Sequence, residues 1–159
     1  MTKKQAFDNP TQERLKFVEL TAEESDDHVS MFTDGSVNQD HHTAACAIHI
    51  PKLSVNNSWK LNKLTCVHSA ELCAINKALT EFLLSDFESG TIVTDSLSSI
   101  QSLMAPKQDH EVVTKILNII ELCAENNKLL TLTWIPSHVG IPGNEKADNL
   151  ASTDPKMAK

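Results

Sequence analysis

An α/β fold built on one five-stranded mixed sheet is the architecture this sequence predicts, and three observations predict it. Three short segments of β character follow one another between residues 28 and 61, with turn residues between them. From residue 67 onward, stretches of helical periodicity alternate with two further strand-like segments. The resulting order, βββαβααβα, describes three antiparallel strands followed by two that arrive through helical crossovers and so pair in parallel.

The first strand runs from His28 through Val29 and Met31 into Thr33-Asp34-Gly35-Ser36, and residues 43–50 and 53–61 supply the next two. Residues 67–87 change period, with Ile75, Ala78 and Phe82 on one helical stripe and Leu79 and Leu83 beside it. Four residues back along that stripe stands Glu71, an acid where an apolar face would continue. Residues 91–94 read as a short buried strand ending in Asp95, with Ser96 capping a helix through Met104. Pro106 breaks the chain, Asp109 is the expected next cap, and Val112, Ile116, Ile119 and Cys123 mark a helix that ends near Asn126-Asn127. In residues 128–135, Leu130, Leu132 and Trp134 alternate with Thr131 and Thr133, the period of a half-exposed strand. A loop holding Pro136, Gly140, Pro142 and Gly143 leads to a last helix from about Asn144, with Asp148 beside Ala147 and Ala151 in its first turn.

Length and composition fit one compact domain: 159 residues can bury a core, and 40 % hydrophobic content is ordinary for a globular chain. Its expected limits are 28–152, with 153–159 a short tail. Residues 1–27 carry four Lys/Arg against seven Asp/Glu and end in Glu23-Glu24-Ser25-Asp26-Asp27, the composition of a flexible acidic leader or linker. Cys46, Cys66, Cys73 and Cys123 lie in apolar surroundings without CxxC spacing, and the chain has no secretory apolar region. They are expected to be reduced core thiols of an intracellular protein, in cytoplasm or nucleus. No apolar run approaches the ~20 residues that cross a bilayer, so no membrane partner is expected.

Asp34, Glu71, Asp95 and Asp148 each interrupt an apolar strand or helix face. Taken singly, Glu71 and Asp148 would pass for acids that favour a helix start, Asp34 for a turn former before Gly35, and Asp95 for part of a cap. Asp34 and Asp95, however, fall late in two strands that the sheet order can make neighbours, where ligand sites of such sheets gather. Buried acids repel one another and lose hydration, so four together require protonation, pairing or cations. The net charge of −7 at first argues against a nucleic-acid partner. Between residues 28 and 151, eight Lys stand against thirteen Asp and Glu, a net of −5 that becomes −1 without the four acids. Two divalent cations would therefore leave the working domain near neutral.

These residues carry a resemblance to the Mg²⁺-dependent type 1 ribonuclease H domains, covering about residues 28–152. Thr33-Asp34-Gly35-Ser36, Ser69-Ala70-Glu71-Leu72, Thr94-Asp95-Ser96 and the run WIPSHVGIPGNEKADNLA over 134–151 match the family's motifs in order and spacing, the last being the most specific. The SAEL and WIPSHVGIPGNEKAD wording is most similar to ribonuclease H domains of non-LTR retrotransposon reverse-transcriptase polyproteins, with a stand-alone cellular enzyme the second choice. The resemblance implies a ribonuclease H-like fold and hydrolysis of the RNA strand of RNA/DNA hybrids to 5′-phosphate and 3′-hydroxyl ends. It also implies two Mg²⁺ ions, with Mn²⁺ a substitute, and the rest of a reverse-transcriptase polyprotein as a partner.

By the same resemblance Asp34, Glu71, Asp95 and Asp148 are the metal ligands. Asp34 and Asp95 hold both ions or the deeper one, and Glu71 and Asp148 complete one each. His138, in a loop made pliable by Gly140 and Gly143, matches the family's proton shuttle or aid to product release. Gly35 and Ser36 are expected substrate contacts. The chain departs from cellular members in three places. Asn38-Gln39-Asp40-His41-His42 replaces a glycine-rich turn, Val67-His68-Ser69 replaces an Asn pair before the Glu, and Ala105-Pro106-Lys107-Gln108 stands where some members insert a basic protrusion. Asn38, His68 and Ser69 are the polar residues that would serve as substrate contacts instead. Two alternatives remain open: a related polynucleotide-processing nuclease, which would lack the SHVGIPGNEKAD run, and a non-catalytic module of a reverse transcriptase, which would be expected to have lost a ligand.

Overall fold

A computed structural model describes residues 26–105, 110–136 and 142–152 of the chain. Strands β1 (His28–Asn38), β2 (Thr43–Ile50) and β3 (Val55–Leu61) form the meander, with a one-turn 3₁₀ helix at Pro51–Leu53. Helix α1 (Val67–Leu84), strand β4 (Ser89–Thr94), helices α2 (Leu97–Met104) and α3 (Glu111–Glu125), strand β5 (Leu129–Trp134) and helix α4 (Pro142–Ser152) follow. The sheet order is β3-β2-β1-β4-β5, with β1–β2 and β2–β3 antiparallel and β1–β4 and β4–β5 parallel. The expected order and pairing are met. The expected boundaries at 27/28 and at 152/153 border or fall on residues outside the described set.

Strand β1 sits at the centre and is covered on both faces, which is why it is buried from Val29 to Gly35 instead of alternating. Its Val29 and Met31 join Ile48 and Ile50 of β2, Ile92 of β4, Leu72, Ile75, Leu79 and Phe82 of α1, and Val113, Ile116 and Cys123 of α3 in the main core. On the opposite face Phe32, Val93 and Ile135 form a second apolar cluster with Ala147 of α4. Gly143, in the first turn of α4, sits on Phe32 so closely that a Cβ would run into the ring. That small residue lets the helix lie flat on β1 and β2.

Helix starts are set by polar atoms. Ser96 Oγ accepts from Ser99 N at 3.3 Å and caps α2, as expected. Helix α3 is capped by His110, whose Nδ1 accepts from Val112 N at 3.1 Å, and not by the expected Asp109, which lies outside the described residues. The imidazole nitrogen serves as acceptor where an Asp carboxylate was read. Helix α4 starts at Pro142, two residues earlier than the sequence pattern, because Pro fits a first helical position without needing its missing N–H. Asp148 is consequently in the second turn of α4, and Glu71 is the fifth residue of α1. All four cysteines are free, but only Cys46 and Cys123 are core thiols. Cys66 is exposed at the N-cap of α1, where its Sγ donates to Ser69 Oγ at 3.4 Å.

Candidate metal centre

The site forms where three elements end or cross. Register pairs Phe32 of β1 with Val93 of β4, and two residues further along each chain stand Asp34 and Asp95. Thr94 closes β4, so Asp95 occupies the turn into α2. Trp134 Nε1 donates to the Asp95 carbonyl at 3.1 Å, Ser96 N donates to Thr94 Oγ1 at 3.0 Å, and Ile135 N donates to Thr94 O at 2.9 Å.

Glu71 arrives from α1 because Gly35 lets the helix backbone touch the strand. A Cβ on Gly35 would lie 2.5 Å from the Ala70 carbonyl carbon and collide with the Glu71 amide as well. The Gly35 backbone thereby lies beside the Glu71 carboxyl and favours its charged form. Asp34, Glu71 and Asp95 each offer a carboxylate oxygen, and these atoms all lie within 4.8 Å of one another. Asp148 of α4 comes within hydrogen-bonding reach of Asp34 but stands outside that triad. Asp34 and Glu71 are buried; Asp95 and Asp148 are half-buried.

Such crowding has a clear electrostatic consequence. Burial pushes the Asp34 carboxyl far above the usual carboxylate range, and the charges of Glu71 and Asp95 push it further. Glu71 is also raised, first by burial and then by the charge of Asp95, while the bonds from Asp34 and the Gly35 amide oppose the rise. Without a cation, the burial and mutual charge of Asp34 and Glu71 favour the protonated form of both carboxyls. Glu71 Oε2 is buried and has no hydrogen-bond partner. A buried carboxyl oxygen with no partner is costly unless a donor or a cation faces it. The donor set fits a hard divalent ion such as Mg²⁺ or Mn²⁺, because it consists of carboxylate oxygens with no sulfur or imidazole in the triad.

The remaining sequence-predicted residues fall in three groups. Ser36 continues β1 half-buried, and Asn38 at the strand end is exposed, its Oδ1 accepting from His41 N at 3.2 Å. His68 and Ser69 belong to a network across three helices. His68 Nδ1 and Nε2 meet Ser98 Oγ at 3.2 Å and Ser102 Oγ at 3.1 Å, and Ser69 Oγ meets His110 Nε2 at 3.1 Å. His138 lies outside the described residues.

Sequence reading missed His110, which packs edge-on to His68 with ring centroids 5.9 Å apart. Its polar neighbours and its place just ahead of an amphipathic run were the available signal.

The RNase H family model matches residues 26–155. The chain belongs to the RNase H family. The five-stranded mixed sheet with flanking helices is the fold of that family. By type, an RNase H domain is a nuclease, a hydrolase whose substrate is an RNA/DNA hybrid, and the family typically uses divalent metals. Among the described residues no helix is long and apolar enough to cross a membrane.

Proposed function

We propose that this chain is an active endoribonuclease that hydrolyses the RNA strand of RNA/DNA hybrids by two-metal-ion catalysis, leaving 5′-phosphate and 3′-hydroxyl ends. The observation that carries the reading is the triad of carboxylate oxygens within 4.8 Å, one of whose members keeps a buried, unpartnered oxygen. Two divalent ions about 3.5 to 4 Å apart, when bound, supply water activation on one side of a phosphodiester and charge neutralisation on the other. Asp34 and Asp95 would hold both ions or the deeper one, with Glu71 and Asp148 completing one each.

The chain's own groups do the rest. Burial favours the neutral form of Asp34 and Glu71, so metal binding to their carboxylates would be linked to proton release. Gly35, having no side chain, lets Glu71 lie against the strand. His138 moves a proton at the leaving side or speeds product release. Gly35, Ser36, Asn38, His68 and Ser69 line the approach of the hybrid and read its phosphates and the ribose 2′-hydroxyl, the group that separates RNA from DNA.

Mg²⁺ is the expected ion, with Mn²⁺ a substitute, since both take carboxylate and water oxygens. The wording of the SAEL and WIPSHVGIPGNEKAD runs supports a further reading, that the domain serves within a non-LTR retrotransposon reverse-transcriptase polyprotein.

The test is an end-labelled RNA/DNA hybrid incubated with Mg²⁺, beside Asp95→Asn, RNA duplex, DNA duplex and EDTA controls. The expected result is metal-dependent cutting of the hybrid's RNA strand by the wild type alone. No cutting with either Mg²⁺ or Mn²⁺ would move the domain to a non-catalytic role within a larger polypeptide.

A further inference from the structure

We infer that Trp134 is a positioning residue for Asp95: its indole N–H, given to the Asp95 carbonyl, sets the backbone from which that carboxylate reaches the metal centre. The inference rests on the two-metal reading above and extends it to an uncharged residue on a neighbouring strand.

Asp95 is the one member of the triad that lies outside strand and helix, in the turn between β4, which stops at Thr94, and α2, which begins at Leu97. Asp34 is fixed in the ladder opposite Ala47, and Glu71 is fixed within α1. An Asp side chain has only two rotatable bonds, so its carboxylate moves with its Cα. What steadies the Asp95 peptide therefore decides where the charge sits.

Trp134 is suited to that task by register. It pairs with Thr94 at the last row of the β4–β5 ladder, and from there its ring reaches one residue forward along β4 to the Asp95 carbonyl at 3.1 Å. The following residue, Ile135, ties the same turn through its bond to Thr94 O at 2.9 Å and anchors it in the cluster with Phe32, Val93 and Ala147. The end of β5 thereby links the turn of Asp95 to α4, the helix of Asp148.

A packing role would leave a different pattern. Leu130 and Leu132, on the same alternation, pack against the main core, whereas Trp134 belongs to neither apolar cluster. Its distinguishing contact is polar, as expected of an indole whose N–H has found a partner.

The experiment compares the wild-type chain, Trp134→Phe, and a chain with benzothienylalanine at position 134, which keeps the bicyclic shape and loses only the N–H. Melting temperature is followed against Mg²⁺ and Mn²⁺ concentration, and kcat and KM are measured on hybrid. Both variants are expected to keep the metal-free melting temperature and the KM. Their metal midpoints should rise about tenfold and kcat should fall, as for loss of a bond that orients a metal ligand. Metal midpoints and kcat equal to wild type in the benzothienylalanine chain would overturn the inference, as would a lowered melting temperature with unaltered midpoints. A wild type that neither gains stability from metal nor cuts hybrid would overturn the two-metal reading and this one with it.

Discussion

At Asp34 and Glu71 the electrostatics dictate the sign of the pH response. Both carboxyls are raised in the folded chain relative to their ordinary values, so between those values and the folded ones the native state binds more protons than the unfolded state. Stability of the metal-free protein must then fall as pH rises through that window. A melting curve series in EDTA should slope downward between about pH 5 and pH 8. Asp34→Asn removes the most perturbed acid, so it should flatten that slope, leave the metal-free protein at least as stable, and abolish cutting. A marked loss of melting temperature in Asp34→Asn would mean the acids are held by structural pairing instead. The four acids were legible because each breaks an apolar pattern; their ranking was not. That Asp148 stands outside the triad, and that Asp34 and Glu71 are the acids raised by burial, depend on how β1, α1 and α4 approach one another in space. Cys66 shows the same limit, since its apolar sequence neighbours gave no sign that it stands exposed at the start of α1.

Among the elements, the contact that places the site is α1 against β1, and it exists because Gly35 has no side chain. Gly35→Ala would drive a methyl into the Ala70–Glu71 backbone, which cannot rotate away as a side-chain end can. The expected cost is about 1–3 kcal/mol of stability, as for other overpacked cores, together with loss of activity as Glu71 is pushed back. Denaturant unfolding and the hybrid assay read the two effects separately; a variant with unchanged stability would show that α1 has room to give.

The start of α3 offers a milder case. His110→Ala removes the cap on Val112 N and the partner of Ser69, for an expected loss of about 1 kcal/mol, with His110→Asn restoring most of it. Equal stability of His110→Ala and wild type would rule the cap out. Strand and helix order was readable from period alone, because the meander and the crossovers each impose their own spacing. Caps and starts were less so. Asp109 is the better capping residue by type, yet the bond is made by His110, and Pro142 begins α4 ahead of the apolar pattern.

For the molecule as a whole, the question is how a chain of net charge −7 holds a polyanion. Eight Lys dispersed between residues 28 and 151 offer few phosphate contacts, and the carboxylate cluster repels phosphates until cations cover it. Hybrid affinity is therefore expected to be weak and to fall steeply between about 50 and 200 mM salt. It should also depend on divalent cations beyond catalysis. Fluorescence anisotropy with Ca²⁺, which binds oxygen ligands but in looser geometry than Mg²⁺, isolates this effect from cutting. Replacing Ca²⁺ by EDTA should weaken binding by more than a matched monovalent ionic strength does, because it returns four acidic side chains to the face the phosphates approach. If chelation leaves the dissociation constant unchanged, the hybrid does not pass over Asp34, Glu71, Asp95 and Asp148 when it binds, and its principal grip must come from the dispersed lysines elsewhere on the surface.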